Sequence, residues 1–106
     1  MFLTYDQVAE QMGISTNGVK QLVTELKLLA VKREQGWVVP AQALDGELPV
    51  KHLYGVLHLL HDAGYGAEEM HTWLTTPDDS LPGTPFDALQ ENRATEVKRR
   101  AQALAF

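Results

Sequence analysis

The sequence predicts a mainly α-helical fold, in which two helices joined by a tight turn and a small β-hairpin precede a bundle of helices. Three observations lead to this fold class. Apolar residues recur at helical spacing through most of the chain. One short stretch around Gly36 is β-prone instead. A polar segment marked by glycine and proline, residues 45–49, divides the chain into two parts.

Size and composition limit the classes of protein to which this chain can belong. It has 106 residues, of which 44% are hydrophobic, enough for one domain or two small lobes that share a core. It has no cysteine, which excludes disulfides, thiol catalysis and thiolate metal sites. The first residues lack the pattern of a secretory signal, and no apolar run approaches the roughly 18 residues of a membrane span. We therefore expect a cytoplasmic protein with no membrane association.

Capping signals define the first helix. Thr4 is a favourable N-cap, and Gln7 three residues later can complete a capping box. Gly13 provides the C-terminal stop, because glycine readily adopts the left-handed conformation found there. The residues predicted to face inward are Val8, Ala9 and Met12.

A second helix begins directly after the turn, where Ser15 can cap it. Its inward residues recur at helical spacing and are Val19, Leu22, Val23 and Leu26. Two helices that cross steeply need a small residue at their contact and a glycine in the turn, and Ala9 and Gly13 meet both needs. These features predict a helix-turn-helix.

The helical spacing stops after Leu26. Residues 29–33 and 37–39 are short and β-prone, with Gly36 between them and Pro40 at the end of the second stretch. This pattern predicts a small hairpin. A helix-turn-helix followed directly by such a hairpin is a winged helix-turn-helix.

The division at residues 45–49 gives a winged helix-turn-helix domain over residues 1–46 and a helical C-terminal domain over residues 47–106. In the second domain we predict helices over residues 50–63 and 67–75, a helix that Thr84 caps, and a last helix over residues 93–104 that Asn92 caps. The helix over residues 50–63 is apolar around much of its circumference, which indicates either a central core helix or an interface.

The N-terminal domain resembles the excisionase-like and MerR-like winged helix-turn-helix domains. The residues that carry the resemblance are Leu3-Thr4, Val8-Ala9, Met12-Gly13-Ile14-Ser15, Val19, Leu22, Leu28, Ala30-Val31, Gly36-Trp37-Val38-Val39-Pro40 and Leu44. The C-terminal domain resembles the antitoxin module of the Xre/MbcA/ParS type. Its matching residues are Trp73-Leu74, Pro77, Leu81, Gly83, Thr84-Pro85-Phe86-Asp87, Leu89 and Val97.

The combination of both halves is similar to a family of small actinobacterial winged-helix DNA-binding proteins. The resemblance implies that the N-terminal domain binds double-stranded DNA. It also implies that the C-terminal helices can bind a partner protein, as in toxin-neutralising relatives.

The second helix of a helix-turn-helix places its start in the major groove of DNA. Five polar residues there have side chains suited to base edges, namely Thr16, Asn17, Lys20, Gln21 and Thr24. Three cations at the helix end and in the wing would neutralise phosphates, namely Lys27, Lys32 and Arg33. The alternative interpretation is a solvated polar face, which every amphipathic helix has.

The net charge of −5 is unevenly distributed. Residues 1–44 carry four basic and four acidic side chains, residues 45–92 one and nine, and residues 93–106 four and one. The acidic surplus therefore lies away from the predicted DNA-reading helix. That helix has one cation, Lys20, so we expect modest affinity and pairing of two copies on DNA.

No motif in the sequence predicts an enzyme, a metal site or a cofactor. The acidic pairs at residues 68–69 and 78–79 are adjacent in sequence, and adjacent residues do not face each other on a helix. His58 and His61 can share a helix face, but no cysteine or suitably spaced carboxylate completes a ligand set.

Two functions follow as expectations. The first is a DNA-binding protein that regulates transcription. The alternative is an antitoxin-like module that binds a partner protein through its C-terminal helices, with the tail at residues 97–106 either meeting the partner or docking on its own domain. The expected partners are therefore double-stranded DNA and either a second copy of the chain or another protein.

Overall fold

The structure is a computed structural model, and it describes residues 1–105. The helices are α1 (Tyr5–Met12), α2 (Thr16–Thr24), α3 (Leu53–Asp62), α4 (Ala67–Thr75), α5 (Pro85–Gln90) and α6 (Ala94–Ala103). The strands are β1 (Phe2–Thr4), β2 (Val31–Arg33), β3 (Gly36–Pro40), β4 (Leu44–Asp45) and β5 (Leu48–Pro49), with a 3-10 turn at Ala41–Ala43. None of the helices in this part of the chain is long and apolar enough to cross a bilayer.

The predicted wing is present, but it belongs to a larger sheet. Strands β2 and β3 form the hairpin, and β1 pairs antiparallel with the other edge of β3, which gives the order β1-β3-β2. The pairing of Phe2 with Pro40 fixes the N-terminus beside the base of the wing. The fold is therefore a winged helix-turn-helix followed by helices, with a first strand that the sequence analysis did not predict.

Local capping chemistry sets the helix ends as predicted. Thr4 Oγ1 accepts a hydrogen bond from the Gln7 amide, and Gln7 Oε1 accepts one from the Thr4 amide. Gly13 ends α1 in the left-handed region at φ 71°. Ser15 Oγ accepts from the Gly18 amide at the start of α2, and Thr84 caps α5 in the same way.

The structure differs from the predictions at three boundaries. Residues 45–49 form the end of the first strand, the turn and the second strand of a tight hairpin, β4–β5, rather than an open joint. Helix α3 begins at Leu53 instead of residue 50, because His52 adopts a left-handed conformation with φ 69°. Asn92 is also left-handed, at φ 65°, so Arg93 takes the N-cap position of α6.

One hydrophobic core joins both halves of the chain. Val8 and Val19 of the helix-turn-helix belong to the same buried cluster as Leu57 of α3, Phe86 of α5 and Val97 of α6. Each of these five side chains is fully buried. The two halves therefore pack as lobes around a shared interior, and α3 is the central core helix that its apolar sequence suggested.

Two polar contacts between distant residues lie at the rim of this core. Gln90 Nε2 donates to the Gln42 carbonyl oxygen at 2.9 Å, which connects α5 to the 3-10 turn of the N-terminal lobe. Within the N-terminal lobe, Gln11 Nε2 donates to the Gly46 carbonyl oxygen at 2.8 Å, which holds the β4–β5 turn beside α1.

Candidate nucleic-acid interface

Helix α2 has one face in the core and one face in solvent. Val19 is fully buried, and Leu22 and Val23 are half-buried. The opposite side carries four exposed polar residues at helical spacing, namely Asn17, Lys20, Gln21 and Thr24. Four of the five predicted base-reading residues thus share one open face, while Thr16 lies half-buried in the first turn.

The predicted phosphate-contacting cations have different surroundings. Lys32 is exposed on the wing and makes no ion pair within residues 1–105. Lys27 is exposed just beyond α2, and its Nζ lies 3.3 Å from Glu25 Oε1. An exposed ion pair of this kind is weak, so Lys27 can exchange Glu25 for a phosphate.

The side chain of Arg33 contacts the C-terminal lobe. Its Nη1 lies 2.5 Å from Glu68 Oε2 of α4, and its guanidinium stacks 4.9 Å above the centre of the Phe2 ring. The Phe2 ring in turn contacts the His71 ring, with centroids 5.4 Å apart. Arg33 therefore connects the base of the wing to α4, and the Glu68 carboxylate offsets part of its charge.

This contact predicts that acid destabilises the joint between the lobes. Burial holds the pKa of His71 below its usual value, and the neighbouring Arg33 guanidinium lowers this pKa further. Because the folded pKa lies below the unfolded one, the native state binds protons less readily, and stability present above about pH 6.5 is lost as the pH falls through the folded pKa. We expect the melting temperature to fall between pH 7 and pH 5.

The His71→Phe variant, which keeps an aromatic ring against Phe2, should show a smaller acid-induced fall in melting temperature than the wild type. His61 is exposed and serves as the matched position. The His61→Gln variant should show the full wild-type fall. An unchanged fall in the His71→Phe variant would contradict the role assigned to this ring.

Glu25 places a negative charge at the end of the exposed face of α2. Its Oε2 accepts a hydrogen bond of 3.2 Å from Gln21 Nε2. This bond, together with the contact to Lys27, holds the pKa of the Glu25 carboxyl below its usual value. The carboxylate is therefore ionised at neutral pH. It binds the side chains of Gln21 and Lys27, which could otherwise contact nucleic acid.

We expect the Glu25→Gln variant to bind duplex DNA about three- to tenfold more tightly at low salt. The change removes an anion beside the phosphates and releases Lys27. Fluorescence anisotropy with a labelled duplex measures the difference. Glu10→Gln removes an exposed carboxylate from α1 and serves as the control. An equal gain in both variants would mean that net charge alone is responsible.

Several of the remaining histidines and acidic residues contact their neighbours in the structure. No group of three or more His, Cys, Asp or Glu residues suited to a metal ion occurs within residues 1–105. The rings of Tyr54 and His58 stack with centroids 4.2 Å apart. Glu69 caps α4 by accepting from the Gly66 amide, and Asp78 accepts from Ser80 in the loop before α5.

The C-terminal tail docks on its own domain as far as the structure describes it. Val97 and Ala101 are fully buried, and Leu104 is 37% exposed. Phe106, the last residue of the predicted tail, lies outside the described residues. Arg100 binds the loop before α5, since its Nε donates to Ser80 Oγ at 2.6 Å.

Residues at the C-terminal end of α2 line two open crevices, one with the start of α3 and one with residues near its end. The first, about 360 Å³, is lined by Leu22 and Lys27 and by residues 49–54 at the start of α3. The second, about 230 Å³, is lined by Val23, Leu26 and wing residue Trp37 and by residues at and beyond the end of α3. The start of α3 and the wing residue Trp37 therefore line two different crevices, and each crevice also includes residues at or just after the C-terminal end of α2.

Comparison with known proteins gives consistent matches to both halves. Residues 1–44 match the family described as "DNA-binding protein Rv2175c, wHTH domain", and residues 50–105 match "Rv2175c C-terminal domain of unknown function". The DNA-binding protein Rv2175c of Mycobacterium tuberculosis (strain ATCC 25618 / H37Rv) is 42% identical over 119 residues, which cover 97% of this chain and 81% of that protein. The NMR structure of Rv2175c has a TM-score of 0.91 at 38% identity and covers 100% of this chain and 82% of that one.

Proposed function

The chain belongs to the Rv2175c family, in which a winged helix-turn-helix domain precedes a C-terminal domain, and from this membership we propose that it binds double-stranded DNA through α2. The observation that carries the proposal is the exposed polar face of α2, formed by Asn17, Lys20, Gln21 and Thr24. This face is supported from behind by the shared core, so binding need not order it first.

The side chains of this face suit direct reading of base edges in the major groove. Asn17 and Gln21 can each form two hydrogen bonds with an adenine, and Lys20 can bind guanine or a phosphate. Thr24 can contact a thymine methyl group. Thr16 lies at the start of α2, where a helix approaches phosphate most closely. The alternative of a merely solvated helix face predicts no such binding.

Lys27 and Lys32 are the phosphate-contacting residues of the N-terminal domain in this proposal. Arg33 has less support in that role, because Glu68 already pairs with it. With about four phosphate contacts in total, the logarithm of the affinity should fall with the logarithm of the salt concentration with a slope of about −3.6. Such a protein binds DNA with modest affinity, and two copies on adjacent half-sites would improve its specificity.

We further propose a division of labour within the chain, with residues 1–46 reading DNA and residues 47–106 supporting assembly. A protein of this kind is suited to regulating transcription in the bacterial cytoplasm. Because the two parts share one core, we do not expect either part to fold independently.

A second candidate function, the antitoxin-like binding of a partner protein, has one observation in its favour. An open groove of about 460 Å³ runs along α4 and is lined by Trp73, Tyr65, Glu68 and Glu69. Its aromatic and acidic lining suits a basic partner segment. Co-purification of one defined protein with the wild type, and its loss with the Trp73→Ala variant, would support this function over DNA binding alone.

Titration of a random-sequence duplex pool at 50 mM and 200 mM salt tests the primary proposal. Selection of bound sequences from the same pool would give the preferred site and the spacing of half-sites. Binding that weakens steeply with salt and enriches a common motif supports the proposal. The absence of binding even at the lower salt concentration would overturn it.

A further inference from the structure

The C-terminal domain is strongly acidic, yet its one cation before α6 lies beside the helix-turn-helix. Among residues 45–92, nine acidic side chains accompany a single basic one, Lys51. Lys51 and His52 line the 360 Å³ crevice whose other wall contains Leu22 and Lys27. Lys51 thus places a positive charge at the same crevice as Lys27, in a part of the chain whose other charged residues up to residue 92 are acidic.

A second lysine comes from the far end of the chain. Lys98 of α6 crosses α3 over Gly55, where a Cβ would lie only 3.1 Å from Lys98 Cε. This path brings Lys98 Nζ to 3.5 Å from His52 Nδ1. Residues from the loop before α3 and from α6 therefore meet at one point on the surface, which we call the α3 basic cluster: Lys51, His52 and Lys98.

Internal ion pairs do not neutralise this cluster. Arg33, Arg93 and Arg100 each lie within 4.0 Å of a carboxylate oxygen, whereas neither Lys51 nor Lys98 has an acidic partner anywhere in residues 1–105. Lys51 and His52 are exposed, and Lys98 is half-buried along its stem. Two lysine ammonium groups are thus available to an external anion.

The cluster is also well placed relative to a DNA duplex in contact with α2. It lies at the start of α3, at the crevice that Lys27 also lines, whereas Trp37 of the wing lines a separate crevice with residues at and beyond the end of α3. Helix α3 has ten residues and is therefore about 15 Å long. The major groove is about 12 Å wide, so two contacts separated on this scale can reach the two phosphate strands that border it.

We propose that the α3 basic cluster is a second phosphate-binding site, through which the C-terminal domain contacts the DNA backbone beside the C-terminal end of α2. This inference rests on the proposed function of α2 as the base-reading helix. Its occupant is duplex phosphate rather than an acidic protein, because Lys51 and His52 line the same crevice as Leu22 of α2 and Lys27.

The test compares two double variants of equal net charge in the full chain. Lys51→Gln/Lys98→Gln removes the cluster, and Arg93→Gln/Arg99→Gln removes two cations from other faces of α6, where Arg93 pairs with Glu96 and Arg99 is exposed. We expect the first variant to bind a duplex about tenfold more weakly at 50 mM salt, with a salt slope less steep by about 1.8, and the second to bind like the wild type.

Wild-type binding by Lys51→Gln/Lys98→Gln, or equal weakening in both double variants, would overturn the inference. An Asn17→Ala/Lys20→Ala variant that loses binding while Lys51→Gln/Lys98→Gln retains it would leave the function of α2 intact and refute only the cluster. A wild type that binds no duplex would refute the proposed function itself. Circular dichroism of each variant confirms that these surface changes leave the fold unaltered.

Discussion

The Asn17→Ala/Lys20→Ala variant is expected to bind a preferred duplex on the order of 100-fold more weakly than the wild type. Each residue lies on the exposed face of α2, and a good side-chain contact to a base edge contributes about 1–3 kcal/mol of discrimination. Specificity should fall more than general affinity, because Lys27, Lys32 and the α3 basic cluster still contact phosphates. Competition with non-specific DNA measures the two effects separately.

The matched control is Arg99→Ala/Gln102→Ala, which removes one cation and one amide from exposed positions on α6. Neither double variant truncates a core side chain, so both should melt within a few degrees of the wild type. If the α2 variant retains full affinity and specificity, the polar face of α2 is a solvated surface and the proposed function is wrong. Equal losses in both variants would point to net charge instead of base reading.

Truncation of Phe86 to alanine should lower the free energy of unfolding by about 3–5 kcal/mol. Phe86 is fully buried in the first turn of α5 and belongs to the cluster that also contains Val8 and Val19. Small domains have only about 5–15 kcal/mol of total stability, so this loss brings the chain close to its folding limit. Because the core is shared, we expect the helix-turn-helix to unfold together with the C-terminal helices.

The two tryptophans make this prediction directly measurable. Trp37 lies in the wing and Trp73 in α4, so the single-tryptophan variants Trp37→Phe and Trp73→Phe each report on one lobe. Urea titrations of both should give coincident transitions, and Phe86→Ala should shift the two midpoints equally. If the Phe86→Ala change leaves the urea midpoint of the wing transition unshifted, residues 1–46 fold independently.

The sequence predicted those parts of the fold that depend on neighbouring residues. The caps were identified from residue type at Thr4, Ser15 and Thr84. In the structure each of these side chains bonds an amide three residues away. Gly13 was identified as a helix end for the same local reason. The exposed face of α2 followed from helical spacing alone, which also made Asn17 and Lys20 candidates for base contact.

The parts that depend on distant residues could not be predicted in this way. Strand β1 is three residues long and pairs with β3 far along the chain, so it has no periodicity of its own. The ion pair between Arg33 and Glu68 joins residues 35 positions apart, so no local pattern indicated that this predicted phosphate contact has a partner within the protein. The approach of Lys98 to His52 requires the packing of α6 on α3, which no local pattern specifies.

Mapping of backbone amide shifts on addition of a duplex tests the central claim most directly. We predict that the largest changes on a preferred duplex fall on residues 16–24 of α2, with further changes at Lys32 in the wing and at Lys51 and His52 before α3. Unperturbed amides at these positions, with a response instead from residues along the α4 groove such as Trp73, would contradict this prediction.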